Sequence, residues 1–189
     1  MKKMSLFMMV SLDGYMEGED HDLSWHNVDT EFNTFAVEQL QDADTILFGR
    51  KTYELMEKYW PSYAGVDDDP VVANLMNNTP KVVVSSTLES VKETDIWKNV
   101  RQIRDNVPVE LAKLKEEEGS SILVLGSNNL CVTLLQLGLL DEVRLMINPV
   151  VIGQGTPLFS GINKKTRFKL ESSREFKNGN ILLTYTTNN

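Results

Sequence analysis

The sequence predicts an α/β fold: a central mixed, mostly parallel sheet flanked by helices on both faces and closed by a C-terminal antiparallel hairpin. Three observations predict it. Short, uncharged, branched runs such as Ile122 to Leu125 suit strands buried on both faces. Several of these runs end in glycine or in hydroxyl residues, and apolar spacing of helical period follows. The last part of the chain alternates apolar and polar residues on either side of Asn178-Gly179, a hairpin turn.

Met4 to Ser11 reads as the first strand, followed by a turn at Asp13-Gly14. Tyr15 to Asn27 is polar and reads as a long surface loop of the kind that binds ligands. Asp29 can cap a helix that places Phe32, Phe35, Ala36 and Leu40 on one face and stops near Asp42. Thr45 to Phe48 is a short buried strand, and Gly49-Arg50-Lys51-Thr52 then opens a helix carrying Tyr53 and Met56. Pro61 to Asp69 reads as a loop, Val71 to Met76 as a modest helix and Asn77 to Pro80 as a turn.

Lys81 to Val84 forms the next strand, ending in the hydroxyls of Ser85, Ser86 and Thr87. Val100 to Ile103 is a further strand, and Val107, Leu111 and Leu114 give a helical stripe with a charged, solvated outer face. After Ile122 to Leu125, Gly126 breaks the strand, and Ser127, Asn128 and Asn129 precede a helix spaced by Leu130, Leu134 and Leu137. Such a turn leaves backbone N–H groups aimed at one point, which attracts phosphate. Val143, Leu145 and Ile147 alternate in a long strand that runs into Pro149, Gly153 and Gly155. Phe168, Leu170 and Phe176, then Ile181, Leu183 and Tyr185, form the closing hairpin.

With 189 residues the chain fits one domain, residues 1–189. The 19 basic and 27 acidic residues give a net charge of -8, which argues against a nucleic-acid or anionic-membrane partner. The single Cys131 permits no internal disulfide and fits a reducing cytoplasm. It sits among apolar neighbours, as a small buried residue would. Only His21 and His26 offer imidazoles, so no metal site is expected. The apolar core of the opening segment, Leu6 to Val10, is too short for a secretory leader.

SLDG (Ser11 to Gly14), GRKT (Gly49 to Thr52), SST (Ser85 to Thr87) and GSNNL (Gly126 to Leu130) occur in this order at predicted strand ends. Together they resemble the dihydrofolate reductase-like superfamily. SLDGYMEG, GLLDEVRLMINPVVIGQGTPLF (Gly138 to Phe159) and the closing hairpin bring the chain nearest to the C-terminal reductase domain of the bifunctional riboflavin-biosynthesis deaminase-reductase, here as a stand-alone member.

The resemblance implies an NADPH-dependent oxidoreductase, similar to 5-amino-6-(5-phosphoribosylamino)uracil reductase, passing hydride to a small pyrimidine-type substrate. Dihydrofolate reduction is the alternative, and a non-catalytic nucleotide-binding module of the same fold is another. It implies a homodimer as well, though no residue marks an interface. Gly49, Arg50, Lys51 and Thr52 are expected at the cofactor, with Ser85, Ser86 and Thr87 by the adenosine ribose phosphate. Arg50 can fork two hydrogen bonds to phosphate, and Lys51 adds a point charge. Gly126, Ser127, Asn128, Asn129 and Leu130 would take the pyrophosphate, with one glycine where relatives often have two or three.

On the substrate side the resemblance points to Trp25, Gly153, Gly155 and Phe159, the glycines permitting close approach of a ligand. Trp25 stacks on substrate or covers the core. The proton donor is left open among Asp29, Glu31, Asp13 and His26: Asp29 is also a helix cap, and Asp13 also a turn residue.

Overall fold

The computed structural model describes residues 1–91 and 93–187. Strand β1 (Lys3–Val10) leads to a short β2 (Tyr15–Glu17), helix α1 (Thr30–Asp42), β3 (Thr45–Gly49) and α2 (Arg50–Tyr59). Next come α3 (Tyr63–Asp68), α4 (Pro70–Asn78), β4 (Lys81–Val84), β5 (Val100–Ile103) and α5 (Val107–Glu116). The chain continues with β6 (Ser121–Val124), α6 (Asn128–Gln136), β7 (Glu142–Ile147), a two-residue β8 (Thr156–Pro157), β9 (Phe168–Glu175) and β10 (Ile181–Thr187).

Eight strands form one sheet in the order β5-β4-β3-β6-β1-β7-β10-β9. The first six run parallel, and β10 joins β7 antiparallel, with β9 antiparallel beyond it. The fold is therefore α/β with a mostly parallel central sheet, its hairpin where the alternating sequence places it.

β1 occupies the middle because both its faces are apolar. Its period of two sends Met4, Leu6, Met8 and Val10 into one core, shared with Leu111 and Leu114 of α5 and Leu130 and Leu134 of α6. Phe7 and Met9 enter the opposite core, with Phe35 and Leu40 of α1 and Val72 and Met76 of α4. Covering both faces is what lets these strands be uniformly apolar. Among the described residues no helix is long and apolar enough to cross a membrane.

Three expectations are corrected. Pro61 to Asp69 is not all loop: Ser62 accepts from the Gly65 N–H and starts α3, whose Gly65 lies so close to the Tyr59 carbonyl that a Cβ would sit 2.5 Å from its oxygen. Tyr15 to Asn27 is not all loop either, since Tyr15–Glu17 pairs antiparallel with Thr156–Pro157 and a 3-10 turn follows at Glu19–His21. Leu137 does not extend the buried stripe of α6; it follows the last helical residue and is exposed, while Leu130, Cys131 and Leu134 face inward.

A buried cation closes α4. The Lys81 ammonium donates to the carbonyls of Met76 at 2.9 Å, Asn77 at 3.0 Å and Thr79 at 2.7 Å, and lies 4.5 Å from the centre of the Trp97 ring. It therefore takes up helix-end carbonyls that have no intrahelical donor. Burial pushes its pKa down to about 8.

Candidate active site

Six parallel strands end on the same edge of the sheet, and the turns that follow them form a crevice. At its centre the turns after β3 and β6 touch. The Gly49 N–H donates to the Gly126 carbonyl at 2.7 Å, and a Cβ on Gly49 would lie 2.6 Å from Ser127 Oγ. Only glycine allows this approach. Gly126 is needed for a second reason: its φ is +100°, and a Cβ there would meet Thr52 Oγ1 at 3.2 Å and Met8 Sδ at 3.3 Å.

Ser127 needs no such freedom. Its φ of -78° and ψ of -179° suit any residue, so a single glycine suffices for this turn. The Gly126–Ser127 peptide is cis.

The helices opening from this edge differ in how their first N–H groups are used. α2, starting after Gly49, and α6, starting after Ser127, receive no side-chain cap, and neither does α5. The leading amides of α2 and α6 are thus left for another acceptor, reinforced by the positive end of the helix dipole, whereas α5 has Pro108 in its first turn and its Val109 N–H donates to the Asn106 carbonyl at 2.9 Å. α1 instead has its own acceptor: Asp29 Oδ1 takes the Phe32 N–H at 2.9 Å.

Arg50 and Lys51 stand exposed in the first turn of α2, where a cation is unfavourable without an anion nearby. Among the described residues Arg50 pairs with Glu54, at 3.5 Å and solvent-exposed, a pairing of little strength. Thr52 is half-buried against Gly126. Of the SST segment, Ser85 is buried, and its Oγ accepts from the N–H groups of Thr87 and Leu88. Ser86 and Thr87 are exposed, and Thr87 lines a hollow of about 290 Å³ with Glu54, Leu88, Glu89 and Ser90. Asn128 and Asn129 form the first turn of α6, while Leu130 points into the core.

The other half of the crevice lies over the ends of β1 and β7. Leu12 N–H donates to the Val150 carbonyl at 2.8 Å, and the Asp13 carboxylate accepts from Gly153 N–H at 2.8 Å and Ile152 N–H at 3.3 Å. The Ser11 hydroxyl, helped by these amides, holds the Asp13 carboxyl below its ordinary pKa. The Gly155 backbone packs on β2, with a Cβ placed 2.0 Å from the Glu17 carbonyl oxygen. This corrects the reason for that glycine: it makes room for the chain's own backbone. Gly153 has open space around it, and Phe159 is partly exposed.

Glu31 turns toward the hairpin, 3.3 Å from Arg174 and accepting the Lys177 N–H at 3.0 Å, which holds its pKa below the ordinary value. Trp25 is half-buried, donates from Nε1 to the Asp22 carbonyl at 3.1 Å and meets His26 edge-on with centroids 4.5 Å apart. Burial pushes His26 down to about 4, and its Nε2 is buried with no hydrogen-bond partner.

What sequence reasoning passed over is a cluster of amides behind this half. Asn148 Oδ1 accepts the Asn27 N–H at 2.8 Å, Asn27 Nδ2 donates to the Asn178 carbonyl at 2.7 Å, and Asn180 Nδ2 donates to the Asn27 carbonyl at 2.7 Å. Asn148 and Asn180 have no exposed surface. Of these four asparagines only Asn178 carries a sequence signal, as part of the Asn178-Gly179 turn.

The RibD C-terminal domain family matches residues 2–182. The chain belongs to this family. "Uncharacterized protein YyaP" of Bacillus subtilis is 33% identical over 184 residues, covering 97% of this chain and 94% of that protein. Among solved structures, the diaminohydroxyphosphoribosylaminopyrimidine deaminase/5-amino-6-(5-phosphoribosylamino)uracil reductase of Thermotoga maritima superposes with a TM-score of 0.69 at 20% identity, over 98% of this chain and 56% of that one. Dihydrofolate reductase from Enterococcus faecalis, complexed with NADP(H), superposes with a TM-score of 0.64 at 16% identity, over 99% and 97%.

Proposed function

We propose that the chain is an NADPH-dependent reductase that passes hydride to a pyrimidine-type ring, as the family's uracil reductases do. The carrying observation is the contact of Gly49 with Ser127, which sets the uncapped starts of α2 and α6 side by side. Paired amide clusters with Arg50 and Lys51 beside them suit a pyrophosphate, and the exposed hydroxyls of Ser86 and Thr87 suit the ribose phosphate beyond. Bound there, the nicotinamide supplies the hydride chemistry; this chain supplies position and a dry wall.

Asp13, Asp29 and Glu31 are the acids offered to the substrate side. The depressed pKa values of Asp13 and Glu31 keep both ionised at neutral pH, so they serve as acceptors for ring or amine N–H groups, and the proton comes through solvent. Trp25 and Phe159 would flank the ring. The involvement of all three carboxylates in local hydrogen bonds or backbone pairing is also what a non-catalytic nucleotide-binding module would show.

Titration of NADPH into the wild-type chain and the Arg50→Ala/Thr52→Ala double variant tests the reading. Micromolar binding that drops at least about tenfold in the variant, equivalent to ~1.4 kcal/mol, supports it; unchanged binding counts against this site. NADPH oxidation across a pyrimidine panel and dihydrofolate then separates the reductase from the idle module.

A further inference from the structure

A phosphate ester is held by cations or by uncapped helix starts. The two halves of the crevice differ sharply in both. Over β3, β5 and β6 stand Arg50, Lys51 and Arg104 and the uncapped starts of α2 and α6. Over β1 and β7 the one described α-helix start, that of α1, is capped, and the described cations are Arg174 and Lys177 at the closing hairpin. The sequence has no Lys or Arg between Lys3 and Arg50, and none between Arg144 and Lys164, the two stretches that wrap the ends of β1 and β7.

All but one of the candidates on that side, the exposed Lys177, are engaged. The start of α1 is filled by the Asp29 carboxylate. His21 Nδ1 lies 2.9 Å from the Glu17 carboxylate, and half-buried His26 is neutral at physiological pH. Arg174 sits 3.3 Å from Glu31 and 3.9 Å from Glu38, with its guanidinium 4.4 Å from the centre of the Phe176 ring. Lys177 is exposed on the hairpin turn; its backbone N–H donates to Glu31, and the charge of its ammonium is offset by that carboxylate nearby. Carboxylates are more numerous: Asp13, Glu17, Glu19, Asp20 and Asp22 all lie in the connection between β1 and α1, with Asp13, Glu17 and Asp22 already accepting local hydrogen bonds and Glu19 and Asp20 exposed.

We infer that the substrate taken by the β1–β7 half carries no phosphate, and that it is a neutral or amine-bearing heterocycle such as a ribosylaminouracil. This rests on the reductase reading and deepens it, since it separates this chain from enzymes whose substrate is the phosphoribosyl form. The carboxylates both repel a phosphate ester and accept from amine N–H groups.

The test is calorimetric, on the full chain loaded with NADP⁺ so that no turnover intervenes. A ribosylaminouracil and its 5′-phosphate are titrated as a matched pair at low salt. The expected result is at least tenfold tighter binding of the unphosphorylated member, with the gap narrowing in Glu19→Lys. If NADP⁺ itself does not bind, the reductase reading fails and carries this inference with it. If NADP⁺ binds and the phosphate ester is held as tightly or more tightly, or neither member binds, this inference alone is overturned.

Discussion

The backbone N–H of Asn27 donates to the side-chain oxygen of Asn148 at 2.8 Å, tying the segment before α1 to the end of β7. Asn148 also donates to the carbonyls of Met146 at 3.2 Å and Val10 at 3.4 Å, so one buried amide joins both central strand ends to the covering loop. Removing it leaves several buried groups unpaired. Asn148→Ala is expected to lower stability by about 2–3 kcal/mol. Urea denaturation read by tryptophan fluorescence checks this, and a shift under about 0.5 kcal/mol would mean that water replaces the amide.

Gly49→Ala should separate the two touching turns, because its Cβ would lie 2.6 Å from Ser127 Oγ and 3.0 Å from Ser127 N. NADPH affinity is expected to fall at least about tenfold, and Gly49→Ala/Ser127→Gly to regain part of it by removing the nearer obstacle. Calorimetry on both variants reads the coupling; equal losses in the two would show that the hydroxyl is not the obstacle.

His26 makes stability depend on pH. Its folded pKa of about 4 lies below the ordinary 6.5, so between these values the unfolded chain binds more protons than the folded one. The stability from keeping this ring neutral is complete above about 6.5 and is lost as pH falls toward 4, by roughly 2–3 kcal/mol. His26→Phe should flatten the stability profile in that window relative to wild type, measured by denaturant titration at pH 7 and 4.5. An unchanged slope would place the titrating group elsewhere.

Lys81→Met keeps the length of the side chain and removes its donors. Three carbonyls at the end of α4 then lose a partner. A loss of about 2–4 kcal/mol is expected. Thermal unfolding checks it, and a variant as stable as wild type would show that burying the ammonium cancels what its hydrogen bonds contribute.

Most of the sheet was legible because each of its strands is a local signal. Ile46 to Phe48, Val82 to Val84 and Ile122 to Val124 are apolar without interruption, as buried parallel strands must be, and a turn residue marks each end. Gly49 and Gly126 were legible as turn glycines, and the structure adds that they lie against each other's segments. β2 and β8 were not legible, because a two- or three-residue ladder is made by pairing across the chain and leaves no periodicity of its own. The work done by Asn27, Asn148 and Asn180 was hidden for the same reason: each amide's partners are set by long-range geometry. Glu31 shows the limit on the site, since only the fold reveals that its carboxylate already accepts from Arg174 and the Lys177 amide.

The placement of β1 bears on how the protein is made. β1 pairs with Ser121–Val124 and Glu142–Ile147, which are synthesised more than a hundred residues after it. Throughout that interval the nascent chain presents Leu6 to Val10 with no neighbouring strand to complete it. Slow, late assembly follows, along with dependence on whatever shields that apolar stretch in the meantime.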